Sequence, residues 1–178
     1  MRLFVAVWPP PALVEQLRSM QRPDLPGVRW TSDDQWHVTL RFLGTLDADS
    51  CEDLLGALGR VATECSPVEV TARRAPLGLG QAAWVLPVEG LDGLARAVAE
   101  ATAGLGRPPD RRGYRCHLTL ARARTAAALR ALRRSGQPAD PPSAGWTVGE
   151  ITLVQSDLRP SGARYEVVSR WALGGNGM

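Results

Sequence analysis

The chain has 178 residues, 44% of them hydrophobic, enough for one sizeable domain or two small lobes sharing a core. No apolar run approaches the roughly 20 residues of a membrane span, and Leu3 to Trp8 is too short for the apolar region of a secretory signal. Three widely spaced cysteines without a Cys-x-x-Cys argue for reduced thiols in the cytoplasm, and the net charge of +3 is mild.

From the amino terminus, Leu3-Phe4-Val5-Ala6-Val7-Trp8 reads as an apolar strand ended by Pro9-Pro10-Pro11. A helix pattern follows through Leu13, Val14, Leu17 and Gln21, with prolines at its start, where missing N–H groups cost least. His37-Val38-Thr39-Leu40 is the next strand. Asp49, with Glu52 three residues on, makes a capping box for a helix carrying Leu54, Leu55, Leu58 and Val61. Val68 to Thr71 closes this first half as a strand.

The same order then recurs. Ala83 to Leu86 is a strand, Pro87 ends it, and a helix follows with Leu91, Leu94, Ala95, Val98 and Thr102 along one face. His117-Leu118-Thr119-Leu120 is a strand, a helix from near Thr125 carries Ala128, Leu129 and Leu132, and Thr147 to Val154 closes the half. Val5 precedes His37 by 32 residues, and Val85 precedes His117 by 32. The pattern predicts one domain over 1–178, a degenerate β-α-β-α-β duplication with pseudo-repeats at about 1–75 and 80–173 and a short flexible tail at 174–178.

The chain's only two histidines each open the same His-x-Thr-Leu tetrapeptide. With 10 Thr and 23 Leu in the chain, two such matches by accident are implausible. In a strand, residues i and i+2 share a face, so each tetrapeptide sets an imidazole beside a hydroxyl and sends its apolar pair to the core. Two facing imidazoles, with unperturbed pKa values of about 6.5, can divide acid and base duties near neutral pH. Phosphodiester cleavage needs that division: a base for the attacking oxygen and an acid for the departing one. Thr39 and Thr119 would hold non-bridging phosphate oxygens, and no metal or cofactor is required.

Every one of the 21 basic residues is arginine, a coding bias toward GC-rich codons rather than a functional signal. Their placement is more informative. Arg107, Arg111, Arg112 and Arg115 precede the second motif, Arg122 and Arg124 follow it, and Arg41 follows the first. On an uninterrupted strand Arg41, at i+4, shares the face of His37. Guanidinium groups match phosphate oxygens in charge and geometry, so beside a histidine pair they favour a phosphate-bearing ligand over a merely solvated surface.

Other readings of these residues are weaker. One histidine on a strand face would by default be structural, but a repeated motif is not so explained. A zinc site from His37, His117 and Cys116, or a Cys–His nucleophile using Cys116, conflicts with strand alternation, which turns Cys116 and His117 apart. Trp30, Trp36 and Trp84 read by default as packing residues, one of which could line a cleft.

These motifs resemble those of the 2H phosphoesterase superfamily, and within it the RNA 2′,3′-cyclic phosphodiesterases, historically called 2′-5′ RNA ligases. The likeness includes Arg2 to Val7, Val28-Arg29-Trp30, Trp36 to Gly44, His117 to Arg122, Ile151 to Leu158, Gly162 and Tyr165 to Val168, and so spans essentially the whole chain. It implies an α+β fold, bilobal and pseudo-duplicated, with two antiparallel sheets, outer helices and a central cleft. It also implies a monomer that hydrolyses RNA 2′,3′-cyclic phosphate ends to 2′-phosphates without metal. His37 would protonate the 3′-oxygen, His117 would activate water, Thr39 and Thr119 would hold the phosphate, and Arg122 matches a family arginine. The chain departs from the family in having Cys116 where a proline usually precedes the second motif. Strict alternation also turns Arg122 away from His117, so either the strand ends or bulges near Ala121, or Arg41 makes the phosphate contact. A phosphodiesterase for small cyclic nucleotides such as ADP-ribose cyclic phosphate, a 2′-5′ ligase and a non-catalytic RNA-binding module are the alternatives.

Overall fold

In the computed structural model, which describes residues 1–72, 76–80, 82–109, 114–135, 141–159 and 162–174, helices are interspersed among single strands and runs of two or three strands. They are β1 (Arg2–Val7), α1 (Pro11–Ser19), β2 (Val28–Trp30), β3 (Val38–Thr45), α2 (Ala48–Glu64), β4 (Val68–Ala72) and β5 (Leu77–Leu79). Then come β6 (Ala83–Glu89), α3 (Asp92–Ala101), β7 (His117–Ala123), α4 (Ala126–Arg134), β8 (Gly145–Val148), β9 (Glu150–Arg159) and β10 (Gly162–Ala172). Arg111, Arg112 and the expected tail beyond Gly174 lie outside the described residues.

The strands form two antiparallel leaves, β10-β9-β1-β3 and β7-β6-β4-β8, with β2 added to β7 and β5 to β6. The leaves meet where β3 pairs with β7 through Val38 and Leu118. Each half sends its closing strand across. β4, from the first half, pairs with β6 and β8, while β9, from the second, pairs with β1. The single closing strand expected from Thr147 to Val154 is divided at Gly149: β8 joins one leaf and β9 the other.

Alternation within β1 sorts the two faces. Leu3, Val5 and Val7 enter the main core with Val38, Leu40, Leu118 and Leu120. The apolar stripes of all four helices join the same core, through Leu13 and Leu17, Leu54 and Leu58, Leu94 and Val98, and Leu129 and Leu132. Each such leucine contributes about 1.5–3 kcal/mol by burial, more than the roughly 1 kcal/mol of an N-cap, so the stripes set where the helices dock. The caps set where they start. Asp47, not Asp49, caps α2, its carboxylate accepting from the Ser50 amide, and Thr125 caps α4 by accepting from Ala128.

With the helices on one face, the other stays open. There Phe4, Ala6 and Val154 form a second, smaller cluster, with Trp8, Phe42 and Tyr165 packed against it. His37, Thr39, His117 and Thr119 alternate with the core residues Val38, Leu40, Leu118 and Leu120 and so belong to this open face.

Candidate active site

The junction of the leaves determines the site. Because β3 and β7 are antiparallel with Val38 opposite Leu118, the register sets His37 across from Thr119 and Thr39 across from His117. Each histidine therefore faces the other motif's threonine, and the four side chains form one patch spanning both leaves.

Cross-braces hold the two motifs together. The Tyr114 hydroxyl, just ahead of the second motif, donates to the Thr39 carbonyl at 3.1 Å. Thr31, ahead of the first, donates its hydroxyl to the carbonyls of Thr119 and Leu120 at 2.8 Å, and Trp36 Nε1 donates to that same hydroxyl at 3.0 Å. These bonds engage the threonines' backbone and leave their hydroxyls without a hydrogen-bond partner among the described residues.

Both imidazoles are oriented in one way. His37 Nδ1–H donates to the Gln35 carbonyl at 2.9 Å, and His117 Nδ1–H donates to the Arg115 carbonyl at 2.6 Å. A carbonyl can only accept, so each Nδ1 carries the proton and, in the neutral ring, each Nε2 keeps its lone pair. Burial lowers the His37 pKa to about 4; the bond to Gln35 opposes this, while Arg122 and His117 add to it. Burial lowers His117 as well, with a smaller opposing effect from Arg115 and a further push from Arg122. The electrostatic influence of His117 on His37, and of one guanidinium on both, puts all three groups in the same neighbourhood.

A bulge brings Arg122 there. Along β6 and β7, Trp84 opposes Ala121 and Val85 opposes Thr119, leaving Leu120 as the extra residue. Leu120 and Ala121 are consequently both buried, the alternation resets, and exposed Arg122 returns to the face of His117 and Thr119. Strand β3 is bulged at the equivalent point, with Val5 opposite Arg41, Ala6 opposite Thr39, and Leu40 extra. Here the reset turns Arg41 into the core. It is 4% exposed, and its Nη2 donates to the carbonyls of Thr102, Leu105 and Arg107 at 3.1–3.2 Å. The expected sharing of a face by Arg41 and His37 fails for this reason: Arg41 closes the carboxyl end of α3, and Phe42 occupies the position equivalent to Arg122.

Three aromatic residues surround His37 that motif reasoning did not single out. The ring centroids of Phe4, Trp8 and Tyr165 lie 4.8, 5.8 and 5.0 Å from its own. Trp8 Nε1 donates to buried Thr152 at 3.2 Å, which fixes the indole against the ring. Phe4, on β1, and Trp8, the residue just past its end, are four apart, a spacing that puts both on one face, but the strand is apolar on both faces and shows no alternation to reveal it. Trp36 and Trp84 are buried packing residues, and Trp30 Nε1 donates to the Pro23 carbonyl. Burial pushes the Cys116 thiol up to about 12 against an opposing effect of Tyr114, well away from a reactive thiolate.

The sequence model of a family described as the 2′-5′ RNA ligase superfamily matches residues 7–160. Curated relatives named RNA 2′,3′-cyclic phosphodiesterase include one from Geobacillus stearothermophilus, 30% identical over 163 residues, covering 84% of this chain and 49% of the relative. The chain thus spans about half the length of that relative. It spans far more of one from Thermus thermophilus, 29% identical over 98% of this chain and 91% of the relative. Among solved structures, a Thermus thermophilus protein superposes with a TM-score of 0.77 at 28% identity, over 99% of this chain and 100% of that one. Escherichia coli LigT complexed with 3′-AMP superposes with a TM-score of 0.76 at 28% identity, over 98% of both chains.

Proposed function

The chain belongs to the 2′-5′ RNA ligase superfamily, and from that premise we propose that it hydrolyses RNA 2′,3′-cyclic phosphate ends to 2′-phosphates, with His37 and His117 as the acid–base pair and no metal ion. The observation that carries this reading is the junction register, which sets each imidazole opposite the other motif's threonine around Val38 and Leu118. The relatives named RNA 2′,3′-cyclic phosphodiesterase support the substrate class.

In the proposed reaction His117 Nε2 takes a proton from water as its oxygen attacks phosphorus. The bond from phosphorus to the 3′-oxygen breaks, and His37 gives that oxygen its proton. A 2′-phosphate and a free 3′-hydroxyl result, and solvent restores both rings. Thr39 and Thr119 donate to non-bridging oxygens, and Arg122 offsets the charge that builds there.

Both imidazoles rest neutral at pH 7, since each pKa is lowered. That state suits the base. The acid role requires His37 to gain a proton, and a phosphodiester anion between the rings favours it by opposing both burial and Arg122. The direction of proton flow between the histidines follows the family likeness, and exchanging their roles leaves a bell-shaped pH–rate profile unchanged.

The deciding experiment incubates the protein with an oligoribonucleotide ending in a 2′,3′-cyclic phosphate, in excess chelator, and locates the product phosphate by ³¹P NMR. A 2′-phosphate formed over many turnovers is expected. A 3′-phosphate would reverse the leaving-group assignment, and single-turnover binding without product would favour a non-catalytic RNA-binding module. Ligation to a 2′-5′ bond is the microscopic reverse and would appear at low yield without being the principal activity. A preference for mononucleotides is the second reading, favoured by the similar LigT complex with 3′-AMP.

A further inference from the structure

Next to the histidine patch, reached through Gln35, lies a cavity of about 420 Å³ whose lining includes Arg29, Asp34, Gly162 and Arg164. Its volume is within the roughly 300–1,000 Å³ typical of small-ligand sites. Gln35 joins the two regions. Its carbonyl accepts from His37 Nδ1, while its side-chain Nε2 donates to the Ala163 carbonyl at 2.8 Å.

The charges across this wall are unusual. Strand β2 pairs with β7 so that Arg29 stands directly opposite Arg122. Opposed residues on an antiparallel pair share a face, so Arg29 projects from the same face as Arg122, Thr119 and His117. Like charges directly opposite one another destabilise a strand pair. Neither guanidinium has a hydrogen-bond or ion-pair partner among the described residues. Arg164 is also without one. Asp34, the one carboxylate among the described lining residues, accepts from the Ser32 hydroxyl at 2.6 Å and can balance only one of Arg29 and Arg164. Gly162 matters to this arrangement: its φ is +130°, and a Cβ there would collide with Arg29 Nη1. The missing side chain is what lets the guanidinium lie against the start of β10.

Two unpaired arginines held apart on one face are suited to two anionic groups held apart on one ligand. We propose that the cavity bounded by Arg29 and Arg164 is a second phosphate subsite, binding the phosphodiester one nucleotide upstream of the cyclic end, so that the preferred substrate is an RNA strand terminus rather than a mononucleotide. This inference rests on the phosphodiesterase reading above and assigns its substrate length. Arg122 serves the reacting phosphorus, and Arg29 serves the next phosphate along the strand.

The test compares kcat/KM for a dinucleotide and a mononucleotide, both ending in 2′,3′-cyclic phosphate. A hydrogen bond between charged partners is worth enough that the dinucleotide should be preferred by about tenfold or more. Arg29→Ala should bring the ratio close to one. Arg29→Lys, which keeps the charge but loses the planar fork, should leave part of it. The preference should also fall with added salt, by about 0.7 in log–log slope for one single-strand phosphate contact. Equal rates on both substrates in the unaltered protein, or an Arg29→Ala variant that loses both rates in proportion, would overturn the subsite. If neither substrate turns over, the phosphodiesterase reading fails, and the subsite is judged by binding alone. A dinucleotide bearing a terminal 2′-phosphate must then bind about tenfold more tightly than the mononucleotide 2′-phosphate, and Arg29→Ala must abolish the difference. Equal affinities end the proposal.

Discussion

The first-half histidine sits inside a collar of Phe4, Trp8 and Tyr165, whereas among the described residues no aromatic ring contacts the second. Register explains the contrast. Continuing the β1–β3 pairing from Val7 and Val38 sets Trp8 across from His37, but the partner of His117 on β6 is Pro87. Phe4 opposes Phe42 in the first half, where Ala83 opposes Arg122 in the second. One half surrounds its imidazole with rings and the other supplies a guanidinium. Two copies of one His-x-Thr-Leu pattern are therefore set in different surroundings, and burial lowers both imidazoles, His37 to about 4.

Removing either ring tests the pair most severely. His37→Ala and His117→Ala should each lose about 10²–10⁴-fold in kcat/KM on a cyclic-phosphate oligonucleotide while keeping a native circular dichroism spectrum. The double variant should lose little more than either single one, because the two act as a unit. Survival of either single variant within tenfold of the parent would dismiss acid–base catalysis by the pair.

The bulges provide the next contrast. Arg122→Ala should cost about 10²-fold in kcat, the scale of removing one charge-stabilising donor, with little change in Tm. Arg41→Ala should do the reverse. It strands three carbonyls that Arg41 now satisfies, and a loss of about 3 kcal/mol in urea unfolding is expected at unchanged kcat. A kinetic defect in Arg41→Ala, with stability intact, would mean the β3 bulge does not separate these roles.

Acid should then distinguish the imidazoles thermodynamically. The folded pKa of His37, about 4, lies below its unfolded value of 6.5, so the unfolded chain binds more protons between these limits. This contribution to stability is intact above pH 6.5 and is lost as pH falls toward 4, up to about 3 kcal/mol in all. His37→Gln should flatten that part of the pH–stability curve, while the corresponding change at His117 should flatten it less. Equal slopes in the two variants would contradict the asymmetry. The smallest effect is expected from opening the collar. Trp8→Leu should raise the His37 pKa by about one unit, read from its imidazole ¹H shifts, and leave His117 where it was.

Much of this arrangement is legible along the chain, and the limits are instructive. The histidine strands, the helices around Leu54–Leu58 and Leu94–Val98, and the start of a helix near Thr125 follow from local periodicity. The spacing of 32 residues from Val5 to His37 and from Val85 to His117, although real, misaligns the halves by one residue. Through the strand pairings, Val5 corresponds to Trp84. A slip of one exchanges the faces of a strand, which is why equal spacing could not reveal Phe4 and Trp8 as neighbours of His37. The bulges at Leu40 and Leu120 carry no glycine or proline to announce them. Tyr165 reaches the site from a strand 128 positions further on, a contact no local pattern encodes. Gly149 is a visible break, but nothing nearby specifies that the chain changes leaves there.

That change of leaves has a mechanical consequence. With β4 lent in one direction and β9 in the other, the halves are laced through each other, and neither carries a complete sheet of its own. Detaching either lobe strips a strand from its neighbour, so heat or denaturant should dissolve both in one cooperative step. A fragment cut near the midpoint should find its missing edge only in the complementary fragment.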